Sequence, residues 1–218
     1  MLEIRHLNAS YGQAQVLFDV SFCVPSGSMA LVQGLNGAGK STLLKSIMGL
    51  MPDTSGEVLW HGLSLEKLAP HERSQKGLGY VPEDRRLFAA LTVRQNLEIA
   101  VPAQAQKTHQ IGAPLQLKDI LDLFPSLDAM LDRPAAQMSG GEQQMLALGR
   151  TLMTQAHMLL LDEPCEGIAP VLAQSIAQAL EKLKKQGFTL LVAEQNQILS
   201  LMADQVLHIA GGHLTESK

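Results

Sequence analysis

The chain has 218 residues, 46% hydrophobic and 17% charged, which suits one sizeable buried core and excludes the low-hydrophobicity composition of a disordered segment. Its formal net charge of -4 argues against the concentrated basic footprint of a nucleic-acid surface, and no apolar run reaches the roughly 18 to 20 residues that cross a bilayer. The start, MLEIRHLN, has no signal-peptide pattern, and neither Cys23 and Cys165 nor the seven scattered histidines have metal-site or disulfide spacing, so membrane association is expected only through a partner.

Short β strands are predicted at residues 2–7, 16–24, 29–33 and 57–60, punctuated by Tyr11-Gly12, Pro25-Ser26-Gly27 and Ser55-Gly56. Between the last two lies a helix, residues 40–50, that follows a Gly-rich turn and stops before Pro52. A further strand is expected at 78–81. From about 84 to 152 the pattern turns helical, at 92–100, 116–124 and 141–154, which predicts a helical subdomain. The Gln-rich, proline-bounded stretch 102–114 reads as a surface loop. From residue 158 strands and helices alternate: strand 158–161, helix 170–185, strand 188–193, helix 197–202, strand 205–209 and the turn Gly211-Gly212. Such alternation predicts an α/β fold with a mostly parallel sheet flanked by helices.

Gly34-Leu35-Asn36-Gly37-Ala38-Gly39-Lys40-Ser41-Thr42 fits G-x-x-x-x-G-K-[ST], the strand-loop-helix turn whose backbone N–H groups cradle phosphates at a helix N-terminus. Lys40 is expected to reach the β and γ phosphates of ATP. Ser41 offers a hydroxyl to Mg²⁺, and Asp162, at the end of the apolar run Met158-Leu159-Leu160-Leu161, offers the same ion a carboxylate. Glu163 then stands where a carboxylate can orient and deprotonate the attacking water. Tyr11 has two readings, an ordinary turn aromatic or a platform for the nucleobase, and the neighbouring phosphate loop favours the second.

Ser139-Gly140-Gly141-Glu142 opens the helix upstream of that acidic strand. Ser139 and Glu142 have capping-box spacing, which accounts for both; it does not account for two glycines, which leave N–H groups open to an anion at a positive helix end. With Lys40 before it and Asp162-Glu163 after it, this order resembles the ATP-binding cassette family over essentially the whole chain. The resemblance implies a P-loop ATPase fold in one unit spanning 1–218. Residues 1–83 and 153–218 would form a catalytic core with an N-terminal antiparallel β subdomain, and 84–152 an inserted helical subdomain. It also implies a head-to-tail pair in which the Ser139–Glu142 turn serves the nucleotide of a second ATPase subunit. ATP would close the pair and hydrolysis would reopen it, driving an attached membrane subunit.

Three segments narrow the resemblance: Gly79-Tyr80-Val81-Pro82-Glu83-Asp84-Arg85-Arg86-Leu87-Phe88 with Leu91-Thr92-Val93, the run from Asp162 through Cys165-Glu166-Gly167 to Ala169-Pro170, and Ala193-Glu194-Gln195-Asn196. They look like the shorter ATPase subunit of branched-chain amino-acid importers, a group whose near relatives serve urea and short amides. That group implies two permease subunits, a solute-binding protein reached indirectly, no nucleic-acid partner, a place on the cytoplasmic face of the cell membrane, and docking of a permease near residues 83–97. Glu83 stands where most cassettes have glutamine and remains a hard oxygen ligand for Mg²⁺. Ala169 replaces the usual aspartate. Gln195 replaces the usual histidine and can donate a hydrogen bond but carries no charge. Two other readings stand beside the importer: a soluble cassette ATPase acting on nucleic acid or the ribosome, and a P-loop kinase. The absence of a long coiled-coil insertion weighs against the first, and the Ser139 turn against the second.

Overall fold

The computed structural model describes residues 1–102, 115–195 and 197–217; the Gln-rich stretch expected as a surface loop lies, from 103 onward, outside the described residues, as does Asn196. In chain order the strands are β1 (Leu2–Tyr11), β2 (Ala14–Val24), β3 (Met29–Gln33), β4 (Asp53–Trp60), β5 (Leu63–Ser64), β6 (Leu78–Val81), β7 (Met158–Asp162), β8 (Thr189–Ala193), β9 (Gln205–Ala210) and β10 (His213–Ser217). The helices are α1 (Lys40–Met48), α2 (Pro70–Gln75), α3 (Val93–Glu98), α4 (Leu117–Leu123), α5 (Gly140–Met153), α6 (Pro170–Lys185) and α7 (Gln197–Ser200).

Two sheets carry these strands. The first is antiparallel, in the order β2-β1-β4-β5; the second runs β10-β9-β3-β8-β7-β6, with every neighbouring pair parallel except β10 against β9. The central strands β3, β7 and β8 are apolar without interruption because both faces are covered. Met29, Leu31, Leu159, Leu161, Leu190 and Val192 face a core shared with α3, α4, α5 and α6. Their alternates Ala30, Val32, Met158, Leu160, Leu191 and Ala193 face a second core shared with α1 and the antiparallel sheet. The parallel order β3-β8-β7 places the carboxyl ends of these strands at one rim, with β8 between β3 and β7, and there the functional residues gather.

Local chemistry fixes the helices. α1 begins at Gly39, whose φ of +113° only glycine adopts readily, and its last carbonyls are tied down by Arg73, which donates to Ser46 O (3.1 Å) and Ile47 O (2.7 Å). α3 opens with a capping box between Thr92 and Gln95. α6 starts at Pro170, where its missing N–H costs nothing, buries Ala173, Ile176, Ala177, Leu180 and Leu183, and leaves Lys182, Lys184 and Lys185 in the last turn, favourable to the helix dipole. Lys182 and Lys185 are exposed to solvent, whereas Lys184 folds back to donate to Met202 O at 2.8 Å and pairs with Asp204 at 3.2 Å.

Three sequence expectations change. Ser55-Gly56 does not precede the strand: β4 runs through it opposite a bulge of β1, where His6 and Leu7 face Gly56, which at φ +97° lies so close to β1 that a Cβ would come within 2.3 Å of His6 O. β1 likewise continues to Tyr11. The elements β5, α2, β10 and two 3-10 turns (Pro125–Met130 and Ala135–Gln137) were not expected; each is short, and β10 is a polar edge strand held by its ladder to β9 rather than by apolar periodicity.

Where β6 meets α5 there is no room for a side chain at Gly79, since an added Cβ would lie 2.5 Å from Thr151 Cγ2 and 2.8 Å from Ala156 Cβ. Gly79→Ala is expected to destabilise the fold by about 1–3 kcal/mol through overpacking, lowering the midpoint of thermal unfolding by roughly 2–10 °C. A midpoint equal to that of the unaltered chain would show that this interface yields freely.

Candidate functional site

The rim of the parallel sheet holds a cleft of about 290 Å³ lined by Val16, Asn36, Gly37, Gly39, Lys40, Ser41, Thr42, Glu83, Glu163 and Glu166. The phosphate-loop turn after β3 is tight at both ends. Ala38 N–H donates to Leu35 O at 3.0 Å, and a Cβ at Gly34 would come within 2.3 Å of Ile209 O. The loop is thus pressed against β9 and pinned at the entry to α1.

Lys40 is only 4% exposed, so its ammonium needs partners inside the fold. It donates to Gly34 O at 2.9 Å and Leu35 O at 3.3 Å and pairs with Glu163 Oε1 at 3.1 Å. Glu163 takes a left-handed φ of +49° immediately before Pro164, a conformation costing a non-glycine residue about 1–3 kcal/mol. Its N–H to Ala193 O, at 2.8 Å, and the Lys40 ion pair hold it there. Burial alone would raise its carboxyl; the Glu166 hydrogen bond and the hydrogen bond and charge of Lys40 outweigh that and leave it below the ordinary range. Glu166, exposed on the same turn, moves the other way. Its hydrogen bond to Glu163 and the charge of that neighbour push it up to about 7, so the two carboxyls share one proton near neutrality.

Asp162 ends β7 almost fully buried. Ser41 Oγ donates to its Oδ1 at 2.9 Å and Tyr80 OH to its Oδ2 at 3.1 Å. Burial raises its carboxyl above the usual range, against the pull of those two hydrogen bonds. The Tyr80 phenol is held well above its ordinary value by burial and by the charge of Asp162, so it remains a donor. Ser41 and Glu83 line the cleft and Asp162 stands behind Ser41, bonded to it, so three hard oxygen groups lie at this rim. Among the described residues no three His, Cys, Asp or Glu cluster to hold a metal by themselves. Two carboxylates and a hydroxyl instead match an ion such as Mg²⁺ that keeps water and takes phosphate oxygens as its remaining ligands.

Gln195 follows β8 and reaches across the cleft: its side-chain amide donates to Asn36 Oδ1 at 2.8 Å. Tyr11 is half exposed at the end of β1, and it is Val16 of β2 that lines the cleft. The Ser139–Glu142 residues lie outside the cleft lining and form the capping box that their spacing suggests, with Ser139 N–H donating to Glu142 Oε2 at 2.7 Å and Glu142 N–H to Ser139 Oγ at 3.4 Å. Gly141 also has a reason within the chain, because a Cβ there would come within 2.4 Å of Leu172 Cδ1. Gly140 sits under the Arg85 guanidinium, 3.3 Å from where its Cβ would be. Sequence reasoning did not single out Tyr80, Glu166 or Val16 for the cleft, although the first two stand inside motifs that it used.

Comparison with known proteins agrees with this geometry. The sequence pattern of the family described as ABC transporter matches residues 17–166. The high-affinity branched-chain amino acid transport ATP-binding protein BraG of Pseudomonas aeruginosa is 39% identical over 215 residues, covering 98% of this chain and 91% of that protein. A probable branched-chain amino acid transport ATP-binding protein, LivF of Archaeoglobus fulgidus, is 41% identical over 197 residues, covering 90% and 82%. Among solved structures, a nucleotide-free ATP-binding cassette from an ABC transporter superposes with a TM-score of 0.85 at 27% identity, covering all of this chain and 91% of that one.

The shared proton between Glu163 and Glu166 has a stability signature. Glu166 is raised in the folded state, so the folded chain binds more protons than the unfolded one between the ordinary glutamate range and about 7, and its contribution falls as pH rises through that window. Glu163 is lowered, and its contribution is lost only at acid pH. Thermal unfolding across pH 5 to 8 is therefore expected to fall less with pH in Glu166→Gln than in the unaltered chain. Parallel curves would mean that the two carboxyls do not share a proton.

Proposed function

This chain belongs to the ABC transporter family and is one of its ATP-hydrolysing chains, and from that premise we propose that it energises a membrane importer for branched-chain amino acids or a related small polar solute such as urea or an amide. The observation that carries the reading is the convergence of Lys40, Ser41, Asp162 and Glu163 on one cleft at the ends of β3 and β7. The names of the relatives support the solute class.

In the proposed mechanism the backbone N–H groups of residues 34–42 and the α1 N-terminus take up the β and γ phosphates of ATP, and Tyr11 stacks on the base. Lys40 exchanges its carbonyl and Glu163 contacts for phosphate oxygens. That exchange frees Glu163 to hold the attacking water and accept its proton. Ser41, Asp162 and Glu83 would hold Mg²⁺, which neutralises charge on the phosphates when bound. Gln195 places its amide, with no charge, beside the γ phosphate. The Ser139–Glu142 turn serves the nucleotide of a second ATPase subunit in a head-to-tail pair. Residues 1–83 and 153–218 form the catalytic part and 84–152 the helical part that carries the turn.

Permease docking fits a second cleft, of about 360 Å³, between the end of α1, β6, the 88–100 segment and α5. Leu50, Phe88 and Ile99 expose apolar surface at its mouth, and Arg150 lies over the Phe88 ring, 5.4 Å from its centre. The segment is shaped by Asn96, fully buried, whose amide donates to Phe88 O, Leu91 O and Thr92 O and accepts from Phe88 N–H. Among the described residues no helix is long and apolar enough to cross a membrane, which suits a peripheral chain held at the cytoplasmic face by two permease subunits. No described feature favours action on nucleic acid.

Three outcomes are expected in the assembled transporter. Glu163→Gln lowers ATP turnover by about 10²-fold or more while ATP still binds; unchanged turnover would remove Glu163 from the reaction. Gln195→Ala slows hydrolysis and Gln195→His quickens it; identical rates for all three would show that this side chain does not act on the phosphate. Phe88→Asp abolishes copurification with the permeases and leaves ATP binding to the isolated chain intact, and an undiminished permease yield would place the dock elsewhere.

A further inference from the structure

One buried acid stands behind the site without lining it. Glu194, the first residue after β8, is 5% exposed, and its two oxygens point to different places: Oε2 accepts the Cys165 N–H at 2.9 Å and Oε1 accepts the Gln195 N–H at 2.9 Å. Cys165 belongs to the turn that carries Glu163 and Glu166, and Gln195 bonds Asn36 of the phosphate loop. One carboxylate thus joins the turn after β7 to the loop after β8, and through Gln195 to the phosphate loop.

We propose that Glu194 is a positioning residue for ATP hydrolysis, holding Glu163 and Gln195 in fixed relation through the backbone N–H groups of Cys165 and Gln195. The inference rests on the hydrolytic reading of this cleft. Its physical basis is that a buried carboxylate accepting two backbone N–H bonds makes charge-assisted contacts, stronger than neutral ones, in a medium that penalises their loss. Glu163 needs such support. It occupies a left-handed φ of +49°, and its own N–H is bound to Ala193 O, the residue just before Glu194, so the same short stretch of backbone grips the turn at two points. The negative charge of Glu194 is felt across that turn, contributing to the rise of Cys165, which burial chiefly pushes up to about 12, and of Glu166.

A neutral amide cannot replace this arrangement. Glu194→Gln keeps the length and volume but offers one acceptor oxygen, and it turns an NH₂ toward one of the two N–H donors. Glu194→Asp keeps the charge but is one methylene shorter, so it cannot span both donors. Both variants leave the chemical identity of every group that lines the cleft unchanged.

The test compares the full-length chain with Glu194→Gln and Glu194→Asp by two independent readouts: amide hydrogen exchange at Cys165 and Gln195, and ATP turnover in the assembled transporter. In Glu194→Gln the exchange of at least one of the two amides is expected to quicken by tenfold or more, while kcat falls by about 10- to 100-fold and KM for ATP stays within about twofold, the pattern of a misplaced rather than missing group. Glu194→Asp is expected to fall between the two. Unchanged exchange at both amides overturns the proposal, and so does a kcat within about twofold of the unaltered chain. A loss carried by KM with kcat preserved also overturns it, because it would mark a role in binding. If Glu163→Gln hydrolyses ATP at full rate, the assignment of Glu163 to the reaction is what fails, and the exchange rates still decide whether Glu194 ties the two loops together.

Discussion

A lysine ammonium with 4% of its surface open must be neutralised from inside the protein, and around Lys40 the fold is arranged to do so. Two carbonyls of its own loop and the Glu163 carboxylate supply the compensation. The loop carbonyls are in place because the phosphate-loop turn is pressed against β9; the carboxylate is in place because β7 runs beside β8 next to β3 and hands the chain into a strained turn at its end. A parallel sheet with both faces buried is what makes these strand ends rigid enough. The pair also supplies the reason for its own exchange. Phosphate oxygens are better partners for an ammonium than amide carbonyls, so in the mechanism we propose their arrival would release the carboxylate beside the bond to be broken.

The outline of this arrangement was legible in the sequence because its parts are local. The glycine spacing of residues 34–39, the apolar run that ends in Asp162-Glu163 and the Ser139 cap each announce themselves within a dozen residues, and β3, β6 and α6 carry the expected bounds. What was not legible is what depends on distant neighbours. Tyr80 reads as a strand aromatic until β6 is laid against β7 and its hydroxyl meets Asp162. Glu194 reads as one more acid in a polar loop until two backbone N–H groups from different turns close on it. Gly56 reads as a turn because only the approach of His6 O shows that it faces a bulge of β1. β10 lacked a signal for a related reason, being a mostly polar edge strand held by its ladder to β9, by Leu214 against the second core and by His213 stacked on Phe18.

The Ser139–Glu142 turn shows how a motif can carry two constraints at once. Ser139 and Glu142 cap α5, and Gly141 is needed for α5 to pass Leu172, so three of the four residues are explained within one chain. Gly140 is the remainder, lying beneath the Arg85 guanidinium, which hydrogen-bonds to Gln144 Oε1 at 3.2 Å and Gln143 Oε1 at 3.4 Å. A glycine there leaves the first N–H groups of α5 uncovered and a cation beside them, which strengthens the positive end of the helix. Gly140 with Arg85, rather than the pair of glycines, is what suits this turn to an anion.

Gln195 completes the electrostatic balance. Among the described residues the cleft is lined by one cation, Lys40, against the carboxylates Glu83, Glu163 and Glu166, with Asp162 bonded to Ser41 behind them, and Glu163 and Glu166 share a proton. A histidine at position 195 could take up a proton of its own and add a second, pH-dependent cation beside the phosphate loop. Glutamine contributes a donor of the same reach whose charge never changes, and it is already satisfied by Asn36 at 2.8 Å. Its position is then set by the loop and by Glu194 behind it, not by attraction to phosphate. In the mechanism we propose, that would make the contact of Gln195 with the γ phosphate a matter of geometry, set at this rim by the buried acid that joins its two turns.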